Sequence, residues 1–535
     1  MRALRNMCCP LLFAALASGS AMVSAAASAA DRAGACAKLA SIRLPGARIL
    51  SAELIEAGRF KTSDGKPLPN QNAFCRVLGR ATPSSDSDIR FEVWLPQEGW
   101  NGRLWGVGNG DFAGAVSPLA LASRMAENYA AVGTDTGHQT EDSEDTHWAI
   151  GHPQKVIDFG QRGIHLAAVN AKRIVAAFYG HPPRHAYFGA CSSGGRQALM
   201  EAQRYPEDYD GIIAGAALFD WMSIYIGGGD WQFKWFADKD HLIPATKLPA
   251  IRSAVQAACD EIDGVKDGVI EDPRECKFDP QVLACNGAET DQCLVPSQID
   301  TLRALYAGKV LSSGERRFPP YAKGAETGLD DWYFRAGPAT DGLFADVYAF
   351  WSGLVFEDAA WDFRTFDVER DGALARRKLA SILDATDANL SRFSARGGKL
   401  ILYHGWADPG VPPFGTIDYF DHVEAAMGRQ RASHAVRLFM APGMSHCTGG
   451  DGPDDFGQFS AGSGNPDTNL GAALQRWVEQ GIPPERIVAA KHRDDGDRTS
   501  EVIRTRPLCA YPLVARYRGA GNPDIADNFD CKMPR

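Results

Sequence analysis

Apolar and polar positions along the chain fall into two rhythms that take turns. Short apolar runs, "FEVWLP" (91–96), "RLWGVG" (103–108) and "YAAVGT" (129–134), have the length and β-branched or aromatic content of strands. The stretch from Ile157 to Gly180 repeats its apolar residues at helical spacing and ends on a glycine, predicting a long amphipathic helix. "HAYFGA" (185–190) predicts a strand, and "GRQALMEAQRYP" (195–206) a helix that stops before Pro206. Further on, "GKLILYHG" (398–405) and "AVRLFMAP" (435–442) are strand-like, and "LGAALQRWVEQG" (470–481) is a helix closed by Gly481. Strands alternating with helices predict an α/β fold with a mainly parallel sheet.

Between about Phe219 and Arg396 the alternation stops. This region is rich in Trp, Phe, Asp and Gly, holds four cysteines and offers few strands. It is expected to be an insertion, a lid (219–396), in a catalytic domain formed by 31–218 and 397–535.

Residues 1–30 fall outside both patterns. Arg2 and Arg5 precede the apolar run "PLLFAALA", and "SAAASAA" follows. A basic start, a short apolar stretch and small residues make a secretory signal peptide, with cleavage expected near Ala29 or Ala30. The run is too short for a membrane span, and no later segment is long and apolar enough for one. Export to the periplasm or medium changes how the cysteines read. Of the 12 in the chain, Cys8 and Cys9 lie in the signal. The even remainder suggests disulfides. Neighbour pairing would close short loops, Cys36 with Cys75, Cys259 with Cys276, Cys285 with Cys293 and Cys509 with Cys531, and would leave Cys191 and Cys447. Sequence alone leaves this connectivity open. The net charge of −10 and the lack of a basic cluster argue against a nucleic-acid surface.

The chemistry starts at "YFGACSSGGRQ" (187–197), where a predicted strand meets a tight turn and a helix. This is the layout of a nucleophile elbow, which lifts a serine above the sheet of an α/β-hydrolase. Ser192 takes the central position, with Ala190 where the first glycine of G-x-S-x-G would stand. Ser193 is the local rival nucleophile, and its backbone N–H is a candidate oxyanion donor beside Ser192. Such folds place an acid and then a histidine later in the chain. Asp408 follows the strand in "LILYHGWADPGVPP", and His446 follows the next in "RLFMAPGMSHCTGG". His404, at a strand end, is the rival histidine. The glycine loop "WGVGNGDFAG" offers a second oxyanion donor, Gly110 or alternatively Asn109.

These pieces resemble the tannase and feruloyl esterase family of α/β-hydrolases. The likeness rests on "TDTGH" (134–138), "YFGACSSGGRQALMEAQRYPEDYDGIIAGA" (187–216), "YHGWADPGVPP" (403–413) and "PGMSHCTGG" (442–450), and covers nearly all of the mature chain. It implies a disulfide between the residue before the catalytic serine and the residue after the catalytic histidine, here Cys191 and Cys447. It implies the neighbour pairs as well, most closely through the bacterial branch that includes mono(2-hydroxyethyl) terephthalate hydrolase. It also implies a structural Ca²⁺ in the lid. The loop "CDEIDGVKDGVIEDP" (259–273) supplies hard oxygens for such an ion, although its spacing is not an EF-hand. Carried over, the ligands are Asp260, Asp263 and Asp267 through side chains and Val265 and Val269 through backbone oxygens.

The resemblance implies a serine esterase for aromatic acyl groups, feruloyl, galloyl or related, acting on a small-molecule ester. Candidate pocket aromatics are Trp231, Phe233, Trp235, Phe236, Trp332, Tyr333, Phe334, Phe350 and Trp351. The terephthalate enzyme holds a free carboxylate with a lid arginine. Here no arginine occurs from Ala336 to Phe363, and Arg335 is the nearest. That departure counts against terephthalate monoesters. A serine peptidase on the same fold and a non-catalytic, calcium-stabilised binding protein are the competing readings. The acyl group, the alcohol and the oligomeric state are open.

Overall fold

The computed structural model describes residues 29–62, 65–68, 72–140, 142–237, 239–310, 316–329, 343–459 and 464–534. Nearly all of the expected signal peptide therefore lies outside the described residues. Among them no helix is long and apolar enough to cross a membrane.

A nine-stranded sheet carries the molecule. It is built from β1 (Ala47–Ile55), β2 (Phe74–Ala81), β3 (Ile89–Pro96), β4 (Arg103–Val107), β5 (Ala130–Thr134), β6 (His185–Cys191), β7 (Gly211–Gly215), β10 (Lys399–Gly405) and β11 (Val436–Ala441). Their order is β1-β2-β3-β5-β4-β6-β7-β10-β11. Pairing is antiparallel from β1 through β3 to β5 and parallel from β5 onward. The parallel strands are apolar almost throughout because helices cover both faces. The outermost strand, β1, is only half-buried along its length. Neither β1 nor β2 is an expected strand, since their mixed polarity is that of a sheet margin.

On one face pack α1 (Ala29–Lys38), α4 (Gly163–Tyr179), α5 (Ser193–Arg204), α12 (Ser391–Ala395), α13 (Pro413–Met427) and α14 (Arg429–Ala435). On the other lie α2 (Pro118–Ala126) and α15 (Leu470–Gln480). The long helix expected from Ile157 begins earlier, as α3 (Pro153–Ile157), and reaches α4 through a wider π-turn over Asp158–Arg162. Arg196 donates to two carbonyls of that turn, Gly160 O at 2.7 Å and Phe159 O at 3.3 Å. A π-turn displaces carbonyls from regular helix pairing, and the buried guanidinium receives them. Gly180, at φ 82°, closes α4 as the sequence predicts, and Gly481, at φ 72°, closes α15.

Between β7 and β10 no described segment adds a strand to this sheet. The insertion holds α6 (Trp221–Ala237), α7 (Leu248–Cys259), α8 (Pro296–Ala307), α9 (Leu343–Ala349), α10 (Val368–Ala375), α11 (Ser381–Leu383) and a short hairpin of β8 (Lys309–Val310) and β9 (Arg316–Phe318). Trp221, Tyr225, Phe318, Phe350 and Trp351 centre a core that also takes in Phe112, Val156 and Phe159 from outside the insertion. Two C-terminal hairpins, β12 (Arg486–His492) with β13 (Val502–Cys509) and β14 (Val514–Tyr517) with β15 (Phe529–Lys532), brace it. Arg516 reaches Ile262 O at 2.7 Å and Glu275 at 2.6 Å.

Five disulfides are formed: Cys36–Cys75, Cys191–Cys447, Cys259–Cys276, Cys285–Cys293 and Cys509–Cys531. Four join chain neighbours, and the fifth spans 256 residues.

Candidate active site

The elbow sits between β6 and α5. Ser192 is the N-cap of α5 at φ 63°, ψ −129°, a conformation that costs a non-glycine residue about 1–3 kcal/mol. Surrounding hydrogen bonds hold it there: Ser192 N–H donates to Gly215 O at 3.0 Å, and its carbonyl accepts from Arg196 and Leu218 N–H, both at 3.1 Å. The turn depends on small neighbours. A Cβ on Gly194 would stand 2.6 Å from Ala190 Cβ and 2.8 Å from Asn109 O. A Cβ on Gly108 would stand 2.7 Å from the same Ala190 methyl. The alanine replacing the first glycine of the motif thus fills a gap that Gly108 and Gly194 leave open. Ser192 lines a cavity of about 330 Å³, whereas the Ser193 Oγ is buried with no hydrogen-bond partner among the described residues.

Asp408 and His446 follow adjacent strands, β10 and β11. The carboxylate is fully buried. Its Oδ1 accepts from the N–H groups of Gly410 (2.8 Å) and Val411 (2.9 Å), and its Oδ2 lies 2.8 Å from His446 Nδ1. Burial opposes ionisation of Asp408. The charge of His446 and the hydrogen bonds from His404 and His446 outweigh burial and hold the carboxyl below its ordinary range. For His446, burial disfavours the imidazolium, but Asp408 more than compensates, and the net shift is upward. His446 lines the same cavity as Ser192. The Cys191–Cys447 bridge, with its Cα atoms 6.0 Å apart, ties the serine turn to the histidine loop. His404, the rival histidine, is fully buried behind Asp408 and lines none of this cavity.

The glycine loop after β4 forms the opposite wall. Gln197, from α5, clamps it: Asn109 N–H donates to Gln197 Oε1 at 3.0 Å, and Gln197 Nε2 donates to Asn109 Oδ1 at 3.1 Å. The Asn109 N–H is therefore committed inside the protein, which leaves Gly110 as the candidate donor of this loop. Farther round, Phe112 N–H donates to Ser143 O at 2.9 Å, and Ser143 Oγ to Asp111 Oδ2 at 2.7 Å. Asp111 and Arg124 also line the cavity. Arg124 is engaged already, lying 4.4 Å over the ring of Trp105 and donating to Gln458 O at 3.1 Å. Nothing in the local sequence marked Gln197, Asp111 or Arg124, because each matters only through a distant partner.

Four of the candidate pocket aromatics have another place. Trp231, Phe233, Phe350 and Trp351 are buried in the core of the insertion. The side chains of Trp235 and Phe236, and residues Trp332, Tyr333, Phe334 and Arg335, lie outside the described residues.

The acidic loop is closed by Cys259–Cys276. Asp260 accepts from the N–H groups of Gly268 (2.9 Å) and Asp267 (3.2 Å), Asp263 from Val265 (3.1 Å), and Asp267 from Val269 (3.1 Å). Burial, with the charges of Asp267 and Asp260 acting the same way, pushes the Asp263 carboxyl up to about 6. Crowded, buried carboxylates form the donor set of a hard cation. Arg506 pairs with Asp267, and Arg504 lies 3.8 Å from it. Among the described residues, no three His, Cys, Asp or Glu side chains converge as a metal shell. The loop thus carries the oxygen chemistry that such an ion takes, but its carboxylates are turned to backbone N–H groups and arginine and do not converge on one point.

Three comparisons bear on what such a site does. The family model described as "Tannase and feruloyl esterase" matches residues 75–532. An uncharacterised esterase of Xanthomonas campestris pv. campestris is 42% identical over 550 residues, covering 97% of this chain and 94% of the relative. A probable feruloyl esterase B-2 of Aspergillus flavus is 32% identical over 465 residues, covering 84% and 86%. Among solved structures, feruloyl esterase B from Aspergillus oryzae superposes with a TM-score of 0.86 at 29% identity, covering 94% of this chain and 100% of that one. The tannin acyl hydrolase of Aspergillus niger shares the fold, with a TM-score of 0.71 at 21% identity over 92% and 93%.

Proposed function

This chain belongs to the tannase and feruloyl esterase family and is a carboxylic ester hydrolase, and from that premise we propose that it cleaves esters of hydroxycinnamic, gallic or related aromatic acids through a Ser192 acyl-enzyme. One observation carries the reading: Ser192, on its positive-φ cap, shares a cavity with His446, whose Nδ1 is held by the buried Asp408.

In this mechanism His446 Nε2 takes the Ser192 proton as Oγ attacks the ester carbonyl. Asp408 keeps the His446 proton on Nδ1 and stabilises the imidazolium that forms. The N–H groups of Ser193, at the start of α5, and of Gly110 face the oxygen that gains charge. The oxyanion collapses, the alcohol leaves with the proton from His446, and water, activated by the same imidazole, releases the acid. We extend the proposal to three further features. The insertion is a lid over the strand ends, Asp260, Asp263 and Asp267 with the Val265 and Val269 carbonyls hold Ca²⁺ that stiffens it, and residues 1–30 direct export. Five disulfides are consistent with an oxidising destination.

Ser192→Ala is the test. It should abolish release of ferulate and gallate from their methyl esters and labelling by a fluorophosphonate, with the melting temperature retained. Unchanged turnover in that variant would refute the assignment.

A further inference from the structure

Asp408 Oδ2 faces two imidazoles. Besides His446 Nδ1 at 2.8 Å, it has His404 Nε2 at 3.1 Å. The protonation of His404 follows from its surroundings. Nε2 also lies 2.9 Å from Val411 O, so both of its neighbours are acceptors and Nε2 carries the hydrogen. Nδ1 lies 2.7 Å from Thr416 Oγ1, and in the neutral ring it accepts from that hydroxyl. Thr416 stands in the first turn of α13 and His404 near the end of β10, and both are buried. A hydrogen-bonded chain therefore runs from Thr416 through His404 to Asp408 and on to His446.

We propose that His404 is a positioning residue of the active site, which fixes the Asp408 carboxylate through Nε2–H and shares Oδ2 with His446. The proposal rests on the triad reading above. A histidine that merely filled a hole would not need to meet the oxygen that His446 uses. Here the contact does two things. It anchors the loop from β10 to α13 at its base, so that Oδ2 stays in line with His446. It also divides the hydrogen-bonding capacity of Oδ2 between two donors, which weakens its pull on the His446 proton. Other charged groups bear on His446 as well: Asp111, from the loop after β4, raises its proton affinity, and Arg124 of α2 shares the cavity. Thr416, the neighbour of His404 from α13, is neutral.

The experiment compares His404→Phe, His404→Gln and Thr416→Val on methyl ferulate and methyl gallate, with active sites counted by fluorophosphonate labelling. His404→Phe removes the donor. It should lower kcat about tenfold at unchanged KM and move the acid limb of the kcat/KM profile to higher pH, because Oδ2, freed of one donor, holds the His446 proton more strongly. The glutamine amide can donate to Asp408 and accept from Thr416, and His404→Gln should recover most of the rate. Thr416→Val keeps the shape and removes only the far hydroxyl, and should cost a few-fold in kcat. Wild-type kcat and pH profile in His404→Phe would overturn the proposal. So would a wild-type rate in Thr416→Val, or equal losses in the phenylalanine and glutamine variants. Turnover that survives Ser192→Ala would instead defeat the triad reading itself.

Discussion

Replacing Gly194 by alanine tests how the elbow is assembled. In an exposed helix this change stabilises by about 0.5–1 kcal/mol, because glycine loses more backbone freedom on folding. Here the new methyl would arrive 2.6 Å from Ala190 Cβ and 2.8 Å from Asn109 O. Neither neighbour is the end of a flexible chain: one is a methyl on the central strand, the other the backbone of the glycine loop. Overpacking of this kind costs about 1–3 kcal/mol, so the net effect should be a loss of up to about 2.5 kcal/mol. The loop should give way first, since β6 is locked between β4 and β7. A retreat of Asn109 carries Gly110 with it and withdraws the proposed oxyanion donor. Full loss of such a donor costs about 10²–10³ in kcat, so a partial retreat should cost about tenfold or more. The second variant, Ala190→Gly with Gly194→Ala, removes the methyl–methyl clash and leaves the Asn109 contact. It should regain more melting temperature than kcat. Thermal unfolding and active-site-titrated turnover of methyl ferulate read both quantities. A Gly194→Ala protein with undiminished melting temperature and kcat would show that the three small residues are not a close-packed unit.

Two further outcomes are expected. Burial, reinforced by Asp220, pushes the Asp384 carboxyl up to about 7. Its folded value is raised above its unfolded one, so its contribution is complete below about pH 4 and is lost as pH rises towards 7. Asp384→Asn should therefore flatten the fall in melting temperature between pH 5 and 8, by on the order of 2 kcal/mol at the alkaline end; parallel curves for the two proteins would contradict this. For the acidic loop, a calcium chelator should lower the melting temperature and added Ca²⁺ restore it, with ligand at about 100 times its dissociation constant worth about 2.7 kcal/mol. Asp263→Asn should erase that difference, and a wild-type melting temperature indifferent to both treatments would remove calcium from the account.

The parts of the fold that could be read from the chain are those whose signal is local. Strands β4, β6, β10 and β11 are continuous apolar runs because both of their faces are covered, and each ends in a turn rich in glycine or proline. The cap of α5 is legible for a related reason, since a strained serine needs small residues on both sides and these stand next to it in sequence. Strands β1 and β2 escape because a sheet margin leaves half of each strand polar, so the alternation blurs. The π-turn at Asp158–Arg162 escapes because it depends on Arg196, more than thirty positions later.

The same distinction runs through the candidate active site, and it separates the proposed reacting groups from what holds them. Ser192, Asp408 and His446 each lie at or just beyond the C-terminal end of a parallel strand, and the common strand direction brings them to one edge of the sheet. Their supports are contacts between elements: Gln197 of α5 on Asn109, Thr416 of α13 on His404, Ser143 on Asp111, Cys447 on Cys191. Apart from the Cys191–Cys447 bridge, which the family resemblance implies, none of these pairs is visible before the sheet order is known, because each partner is an ordinary polar residue in its own segment. Their arrangement has a physical consequence. The serine turn is tied to the oxyanion loop through Gln197 and to the histidine loop through the disulfide, and the aspartate loop is tied to α13 through His404. Three loops from three strands are thus cross-linked around one cavity, and the aspartate loop joins them through the Asp408–His446 hydrogen bond. Displacement of any one loop is passed to its neighbours, so substitutions at these supports should reduce kcat more than they reduce folding stability.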